Sequence, residues 1–532
     1  MAESVFSLFN NSHDGNLSVC VDGNTLCTIE LERLFGNRYF FFPCLIKEDK
    51  YHRFCSYLKQ ILQSKRVFRP HFDVGLFESG TKEGLVDFIT EFFNIKKVHF
   101  NDDLTYHHRS HAAGAFYSSG FDEALVISYD GGGNDGTFCV YETNKERPNF
   151  EQINDYEMIP FPTKYASTAY FISEIQKKDQ DGYNPHSRVM THVGKVMGLS
   201  AYGSRNEDYL ERSLALFESD SQEVSLYFLN DFAKDFVLDG LEGKESYDLA
   251  FCAQLAFEET FLKRFYKYFD EEKHKNVCLT GGGALNVVLN ERLTKKHPNT
   301  NFFVPCSPGD TGISYGMMAG YLKDQIVPEL MYTGCPILDK GSLRYILDQR
   351  PWKRATPELI ARELEKGKII GVCRGDSETG PRALGNRSIL ADPRSHKAKD
   401  IINSKVKFRE WFRPFAPICK EEKASVYFET SDNACYKYMS FSPSVREEYR
   451  KQLPAVTHID GSSRLQTVSM SQNKFIYEVL NSFEELTDIP VLVNTSFNTR
   501  GRAILTRYLE AIKVLDSTGL DGVVLGDYYI YK

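Results

Sequence analysis

Three stretches of this chain share one pattern, a short apolar strand that runs directly into a glycine-rich turn. They are residues 124–128 before 130–136, residues 277–279 before 281–283, and residues 302–304 before 307–312. Glycines in such turns leave backbone N–H groups open to an anion, and a carboxylate in the turn can hold a metal. The pattern predicts an α/β fold that binds phosphate or metal where its strands end.

The order of these elements resembles the actin-like or sugar-kinase fold, in which a nucleotide lies between two lobes. A predicted hairpin of strands 5–9 and 17–21 opens the chain, and a further strand, 26–31, follows it. A second α/β unit is predicted from a helix at 357–366 and a strand at 369–372 onward. The sequence shows no evident internal repeat, so this resemblance rests on the order of the elements.

Length and composition limit the class of protein. At 532 residues the chain exceeds what one hydrophobic core usually supports, which predicts two or three domains. No apolar run is long enough to span a membrane, and the twelve cysteines include no Cys-x-x-Cys pair. The first residues lack the pattern of a secretory signal, so we expect a cytoplasmic enzyme. A net charge of −8 disfavours a protein that coats nucleic acid.

Residues 380–388 read Gly-Pro-Arg-Ala-Leu-Gly-Asn-Arg-Ser. Arg382 and Arg387 can each grip phosphate or carboxylate oxygens through two hydrogen bonds, which the point charge of a lysine does not do. The glycines permit backbone conformations and close contacts that a side chain would block. A packed core does not require this combination. The segment predicts a site for an acyl phosphate or for the phosphates of a nucleotide.

Two histidines open a predicted helix of small residues. His107 and His111 are four residues apart and so share one face of that helix, a spacing that metal sites use. Asp130 follows a predicted strand, and Asp310 lies in a glycine-flanked turn. Two imidazoles with two carboxylates suit Fe²⁺, Mn²⁺ or Zn²⁺ better than Mg²⁺. His108 competes with His107 for one ligand position, and the sequence leaves that choice open.

Other candidates depend on the fold to bring them into one cleft. His13, in the first hairpin turn, is a candidate general base for an acceptor hydroxyl. Lys195 lies in a glycine-rich segment, 194–203, and with Gly282, Gly283 and Asn286 is a predicted nucleotide contact. Neither segment matches a Walker A or a Rossmann fingerprint. The second unit adds basic and polar candidates, which are Lys407, Arg413, Arg464, Asn494 and Ser496.

Together these residues resemble the O-carbamoyltransferase family of nodulation-factor and antibiotic-tailoring enzymes, in which a TsaD-like domain of actin type is fused to a YrdC-like domain. The similarity covers nearly the whole chain and is most specific in 380–394, 407–417, 458–468 and 490–498. It implies a TsaD-like transfer domain at 1–335, a linker at 336–355 and a YrdC-like domain at 356–532.

The resemblance implies a reaction in two steps. In the YrdC-like domain, carbamoyl phosphate and ATP would give carbamoyl-adenylate, held by Arg382, Lys407, Arg413, Arg464, Asn494 and Ser496. In the TsaD-like domain, the carbamoyl group would pass to an acceptor hydroxyl beside a metal bound by His107, His111, Asp130 and Asp310. The predicted catalytic residues are His13, at the position of the family's base, Arg382 and Lys407. The resemblance favours Fe²⁺, with Mn²⁺, Mg²⁺ or Zn²⁺ as alternatives.

Several positions depart from the family pattern, since Thr379 replaces an aromatic residue and Asp376 an arginine. They bear on the acceptor, which is either a hydroxyl of a sugar or natural product, or the hydroxymethyl group of a pyrimidine such as 5-hydroxymethylcytosine, free or in DNA. One alternative function is a small-molecule kinase of the same fold, which would leave the arginine-rich segments unused. Another is a threonylcarbamoyl-transfer enzyme acting on tRNA, whose domains normally lie on separate chains.

Overall fold

A computed structural model describes residues 3–10, 13–40, 48–68, 70–100, 103, 106–146, 148, 150–176, 185–219, 241–326 and 330–532. Strands and helices alternate along them, and the strands form sheets of five, four and eight strands. The predicted α/β class is confirmed. Within these residues, no helix is both long and apolar enough to cross a membrane.

The first sheet is built from β1 (Val5–Phe9), β2 (Asn16–Val21), β3 (Asn24–Glu30), β4 (Val74–Phe77) and β5 (Lys97–Phe100). Its strand order is β3-β2-β1-β4-β5. The first three strands are antiparallel, whereas β4 and β5 continue the sheet in parallel from β1. The predicted N-terminal hairpin is therefore confirmed, and its turn carries His13 at one end of the sheet.

The second sheet contains β6 (Glu123–Gly133), β7 (Gly136–Asn144), β8 (Asn276–Thr280) and β9 (Asn301–Phe303), in the order β7-β6-β8-β9. Because β6, β8 and β9 are parallel, the glycine-rich segments that follow them meet at one edge of the sheet. The sequence predicted a turn at residues 130–136. In the structure, β6 instead continues to Gly133, and its register against β7 is irregular between Tyr129 and Gly133.

The third sheet comprises β10 (Trp352–Arg354), β11 (Ile370–Cys373), β12 (Arg387–Ala391), β13 (Ala416–Lys420), β14 (Gln466–Val468), β15 (Val491–Ser496), β16 (Gly522–Leu525) and β17 (Tyr528–Tyr531). Its order is β10-β17-β16-β11-β12-β15-β13-β14. The segment predicted as a linker contains β10, which pairs antiparallel with β17 at the edge of this sheet. The rings of Trp352 and Tyr528 also meet edge-on, with centroids 5.1 Å apart. The domain boundaries themselves stay a prediction.

The helices of the described residues are α1 (Leu31–Phe35), α2 (Glu48–Ser64), α3 (Glu83–Phe93), α4 (His107–Ser119), α5 (Phe161–Ser167), α6 (Ser173–Gln176), α7 (Pro185–Ser200), α8 (Glu207–Glu218), α9 (Lys244–Phe265), α10 (Val287–Lys296), α11 (Ile313–Leu322), α12 (Ser342–Gln349), α13 (Pro357–Glu365), α14 (His396–Ile401), α15 (Ala424–Tyr427), α16 (Lys474–Thr487) and α17 (Tyr508–Ser517). A short 3₁₀ turn, Gly282–Leu285, precedes α10, where the sequence predicted one continuous helix.

Helices α4 and α11 lie unusually close to each other. A Cβ on Gly316 of α11 would fall 2.0 Å from the carbonyl oxygen of Ser110 in α4. Only a glycine permits that approach. Since His107 and His111 belong to α4, and Asp310 lies three residues before α11, this contact brings the predicted metal ligands together.

Candidate active site

A cavity of about 1350 Å³ lies where the ends of the three sheets meet. The first sheet contributes His13 to its wall, and the second contributes Asp130 and Asp310. The segments around the third sheet add Arg382 and Lys407. Two of the predicted metal ligands, Asp130 and Asp310, therefore face the same continuous space as Arg382 and Lys407.

Four side chains form a tight group of possible metal ligands on one side of the cavity. One ligand atom each from His107, His111, Asp130 and Asp310 lies within 4.8 Å of the others. His111 Nε2 is 3.5 Å from Asp130 Oδ2 and 3.4 Å from Asp310 Oδ1, and His107 Nε2 is 3.5 Å from that same oxygen.

Three atoms of this group fit a cation. Within the described residues, the Nε2 atoms of His107 and His111 and the Oδ1 atom of Asp310 are buried without a hydrogen-bond partner. Leaving a buried polar atom unsatisfied costs about 1 to 3 kcal/mol. A divalent cation would satisfy all three atoms at once, and two imidazoles with two carboxylates are a suitable donor set.

His108, the competing ligand, turns away from this group. Its Nδ1 lies 2.7 Å from Ser128 Oγ, and its Nε2 lies 2.9 Å from the carbonyl oxygen of Gly136. Both ring nitrogens are thus engaged between β6 and β7, while His107 faces the two aspartates. The geometry favours His107 as the ligand.

The aspartates are held by backbone and amide groups. Asp130 accepts hydrogen bonds from the N–H groups of Gly131, at 2.6 Å, and Gly282. The side-chain amide of Asn16 donates to the carbonyl oxygen of Asp310 at 2.7 Å and accepts from the N–H of Ser314 at 3.0 Å. Such supporting contacts orient ligands in metal sites.

His13 stands beside this group. Its Nδ1 lies 2.9 Å from Asp14 Oδ2 and 3.7 Å from Asp310 Oδ2. Burial lowers the pKa of His13, but the hydrogen bond with Asp14 and the charges of Asp310, Asp14 and Asp130 outweigh it and raise that pKa to about 9. The aspartates therefore control the protonation of the predicted base.

Four cations line another part of the cavity, called the cationic wall below, and burial and neighbouring charges lower their pKa values. Burial and the charge of Arg413 lower the pKa of Arg382 to about 10, so this guanidinium is still charged at neutral pH. Burial and neighbouring arginines lower the pKa of Lys407 and Arg464 well below their usual range. Buried like charges are unfavourable until an anion lies between them. All the predicted basic residues of this set line the cavity: Arg382, Lys407, Arg413 and Arg464.

Lys407 and the loop after β15 form one unit. The Nζ of Lys407 donates to the carbonyl oxygens of Ser496 and Asn498, at 2.7 and 2.9 Å, and to their side-chain oxygens at 3.1 and 2.6 Å. Asn494, two residues before Ser496 in β15, donates its side-chain amide hydrogens to Ala383 O at 3.0 Å and to Gln466 Oε1 at 2.6 Å. Ser496 and Asn494 line the cavity, where they fix Lys407 and the backbone next to Arg382. Their contact with phosphate stays a prediction.

Arg387 does not take the predicted role, because it is not part of the cavity wall. Its side chain is fully buried, and it donates to the carbonyl oxygens of Arg374, Gly375 and Asn386 at 2.6 to 2.9 Å, and of Cys335 at 3.3 Å. These hydrogen bonds hold the two ends of the segment 374–387 together. The structure gives Arg387 a structural role instead of a contact with phosphate.

Arg387→Leu should therefore lower the free energy of unfolding by about 3 kcal/mol or more, because several buried carbonyl oxygens lose their donor. Urea denaturation followed by tryptophan fluorescence measures this. Arg350→Leu, which removes only a surface pair with Asp516, is the control and should cost less than about 1 kcal/mol. A loss as small as that of the control would contradict the structural role.

The predicted nucleotide contacts line the same cavity. Lys195 Nζ lies 3.2 Å from Glu410 Oε1, and Asn286 exchanges hydrogen bonds with Gln254 at 3.0 and 3.1 Å. Gly282 and Gly283 lie beside Asp130 and Tyr129, where a Cβ would fall 2.9 and 2.2 Å from those side chains. Gly282 thus adjoins one aspartate, whereas Lys195 contacts a carboxylate that also pairs with Arg413.

The sequence did not single out three residues that shape the site, which are Glu378, Glu410 and Arg38. Glu378 is fully buried, and its Oε1 accepts from the N–H groups of Leu384, Asn386 and Arg387 at 2.7, 2.7 and 3.1 Å. Glu410 is the carboxylate that touches Lys195 and Arg413. Neither glutamate stands out in the sequence, because acidic residues are common near turns and beside runs of basic residues. Arg38, which also lines the cavity, had no local signal.

Pyrophosphate should stabilise the protein, because it would separate the cations of this wall. At 100 times its dissociation constant, a ligand adds about 2.7 kcal/mol to the free energy of unfolding. Differential scanning fluorimetry with sodium pyrophosphate measures the rise in the unfolding midpoint. Sulfate at matched ionic strength controls for salt, and an equal rise with Arg382→Ala would show that the site lies elsewhere.

Comparison with known proteins agrees with this geometry. A family model described as "Carbamoyltransferase N-terminus" matches residues 45–318, and one described as "Carbamoyltransferase C-terminus" matches residues 361–532. Nodulation protein NolNO of Sinorhizobium fredii is 31% identical over 98% of this chain and 79% of its own length. Nodulation protein NolO of Bradyrhizobium diazoefficiens is 31% identical over 80% of this chain and 78% of its own.

Among solved structures, HypF of T. kodakarensis aligns with 62% of this chain and 49% of its own at 15% identity, with a TM-score of 0.35. A likeness this slight supports no argument about function or fold. The family models and the sequence relatives are sufficient without it, and the activity is named by the family models. The chain belongs to the carbamoyltransferase family and is a carbamoyltransferase enzyme.

Proposed function

We propose that this enzyme hydrolyses carbamoyl phosphate to carbamate and phosphate, and joins a carbamate oxygen to the α-phosphorus of ATP with release of pyrophosphate. The resulting carbamoyl-adenylate then gives its carbamoyl group to an acceptor hydroxyl and releases AMP. The observation that carries the proposal is the single cavity lined by both the cationic wall and the two aspartates. An activated carbamoyl group made at one wall would reach the other without leaving the protein. The two half-reactions would thus share one water-restricted space.

The cationic wall supplies the first step. Carbamate is a poor electrophile, and joining its oxygen to a phosphate gives it a good leaving group. Arg382 and Arg464 offer paired donors to phosphate oxygens, and Lys407 adds a fixed ammonium held by the loop after β15. Donors held in place before the reaction stabilise the charge that develops during phosphoryl and acyl transfer.

The group of predicted metal ligands supplies the second step. His107, His111, Asp130 and Asp310 would hold a divalent cation, for which the resemblance favours Fe²⁺. When bound, such a cation supplies Lewis acidity. A cation bound by Asp130 and Asp310 would offset the charges that raise the pKa of His13, and would so favour its neutral form. With Nδ1 held by Asp14, Nε2 of the neutral imidazole would take the proton of the acceptor hydroxyl.

The proposed reaction leads to further proposals about the two parts of the chain, the cellular location and the acceptor. We infer that residues 1–335 form a TsaD-like part of actin type and that 356–532 form a YrdC-like part. A cytoplasmic location is supported by the eleven described cysteines, all of which are free thiols. The acceptor is a hydroxyl of a sugar or natural product, or the hydroxymethyl group of a pyrimidine in a nucleotide or in DNA.

The test is to follow the release of pyrophosphate by the purified enzyme, given ATP, a divalent metal and carbamoyl phosphate. We expect release that requires carbamoyl phosphate. Acceptors can then be screened by mass spectrometry for the gain of one carbamoyl group, with sugars, nucleosides and hydroxymethylated DNA as the panel. Formation of ADP without carbamoyl phosphate would contradict the proposal and favour a kinase.

A further inference from the structure

A buried ion pair of the first sheet reaches the phosphate-binding segment of the chain. Arg33 is 1% exposed, and its Nε donates to Glu30 Oε2 at 3.0 Å. Its two terminal nitrogens donate to the carbonyl oxygens of Glu378, at 2.7 Å, and Gly380. The other oxygen of Glu30 accepts from the N–H of Gly380 at 2.8 Å. The pair thus holds both backbone groups of Gly380, two residues before Arg382.

The same segment presses against the turn that carries Asp310. Gly380 has a φ of +92°, and a Cβ there would fall 2.1 Å from the carbonyl oxygen of Cys306. Cys306 precedes Asp310 by four residues. The backbone that presents Arg382 is therefore fixed between the Glu30–Arg33 pair on one side and the Asp310 turn on the other.

The pair is also tied to the turn that carries His13. Glu30 in β3 lies opposite Asn16 in β2. The side chain of Asn16 donates to the carbonyl oxygens of Asp14 and Asp310, both at 2.7 Å. One strand pair thus sets the positions of the predicted base, one predicted metal ligand and the phosphate-binding segment.

We propose that Glu30 and Arg33 are positioning residues, which hold Arg382 at a fixed distance from His13 and Asp310. Their link to carbamoyl-adenylate rests on the function proposed above. Buried ion pairs contribute little net stability compared with apolar residues of similar size, so stability alone gives a weak reason for one here. The planar fork of Arg33 binds three acceptors at once, which the ammonium of a lysine at the same backbone position would not reproduce.

The test compares Arg33→Lys and Glu30→Gln with the wild-type enzyme. Arg33→Lys keeps the charge but loses the fork. Glu30→Gln keeps the size of the side chain and can still accept from Gly380. We expect kcat/KM for carbamoyl phosphate in pyrophosphate release to fall about tenfold in each, because small displacements of a binding group are costly. The affinity for pyrophosphate, measured by calorimetry, should fall by a similar factor. The double variant should lose no more than Arg33→Lys alone, since the two residues act as one unit.

Arg264→Lys and Glu157→Gln are matched controls. That pair is also largely buried, with Nε and Oε1 2.6 Å apart, but it lies outside the cavity wall. These variants should lose stability without losing pyrophosphate affinity. Equal losses of affinity in both sets, or no loss with Arg33→Lys and Glu30→Gln, would overturn the proposal.

The two proposals can fail separately. If the wild-type enzyme releases no pyrophosphate in response to carbamoyl phosphate, the proposed function fails. The calorimetric comparison with pyrophosphate still decides whether Glu30 and Arg33 position Arg382, because it requires no turnover. Should Arg33→Lys fail to fold, the milder Glu30→Gln gives the same comparison.

Discussion

Arg382→Ala should lower carbamoyl phosphate-dependent release of pyrophosphate by about 10³-fold. Removing one fixed donor to a developing negative charge typically costs 10²- to 10³-fold in rate. We place Arg382 at the upper end because it is buried beside two further cations, Arg413 and Arg464, in the wall where the phosphates would bind. The measurement is a steady-state assay of pyrophosphate with saturating ATP.

Two further variants test whether the loss of activity is specific to the guanidinium of Arg382. Arg350→Ala removes an arginine of similar charge from the surface, away from the cavity wall, and should retain full activity. Arg382→Lys keeps the charge but loses the paired donors, so it should recover only part of the rate. Full activity in Arg382→Ala would exclude this arginine from the first step.

His111→Ala should reduce bound metal from about one ion per chain to a level near zero, with a loss of affinity of at least about 100-fold. The physical reason is that His111 faces both aspartates, so its removal opens the group on two sides. Elemental analysis of protein purified in the presence of Fe²⁺ measures the metal content directly. Pyrophosphate release should persist, because the cationic wall is unchanged.

His108→Gln is the matched control for that experiment. It alters the neighbouring histidine of the same helix, whose contacts are with Ser128 and Gly136. We expect it to keep its metal and to lose some stability. Loss of metal in His108→Gln with retention in His107→Ala would reverse the choice of ligand.

Much of the site was predictable because its signals are local. A spacing of four residues on a helix puts His107 and His111 on one face, and parallel strands bring Asp130 and the turn of Asp310 to one edge. The choice between His107 and His108 depends on how α4 is rotated against β6. That rotation is set by packing between α4 and α11, which the sequence does not express in a short motif.

The features of the site that the sequence did not predict depend on contacts between distant parts of the chain. Arg33 lies 345 residues before Glu378 in the sequence, and no pattern near either residue indicates that they meet. Arg387 shows the opposite difficulty, since its sequence context is that of an anion-binding arginine. It was assigned wrongly because burial, and not residue type, decides whether a guanidinium meets a ligand or the backbone. The boundaries of the predicted domains stay a prediction.

The hydrophobic core limits which segments of this chain can be exchanged with those of related proteins. One cluster contains Leu125 and Val277 of the second sheet together with Val491 and Val523 of the third. Asn433 reinforces this union, because its side-chain amide donates to the carbonyl oxygens of residues 294, 297 and 300 at 2.9 to 3.2 Å. A chimera joined at 336–355 would mismatch this shared core. Graft points for changing the acceptor therefore lie in loops at the cavity rim.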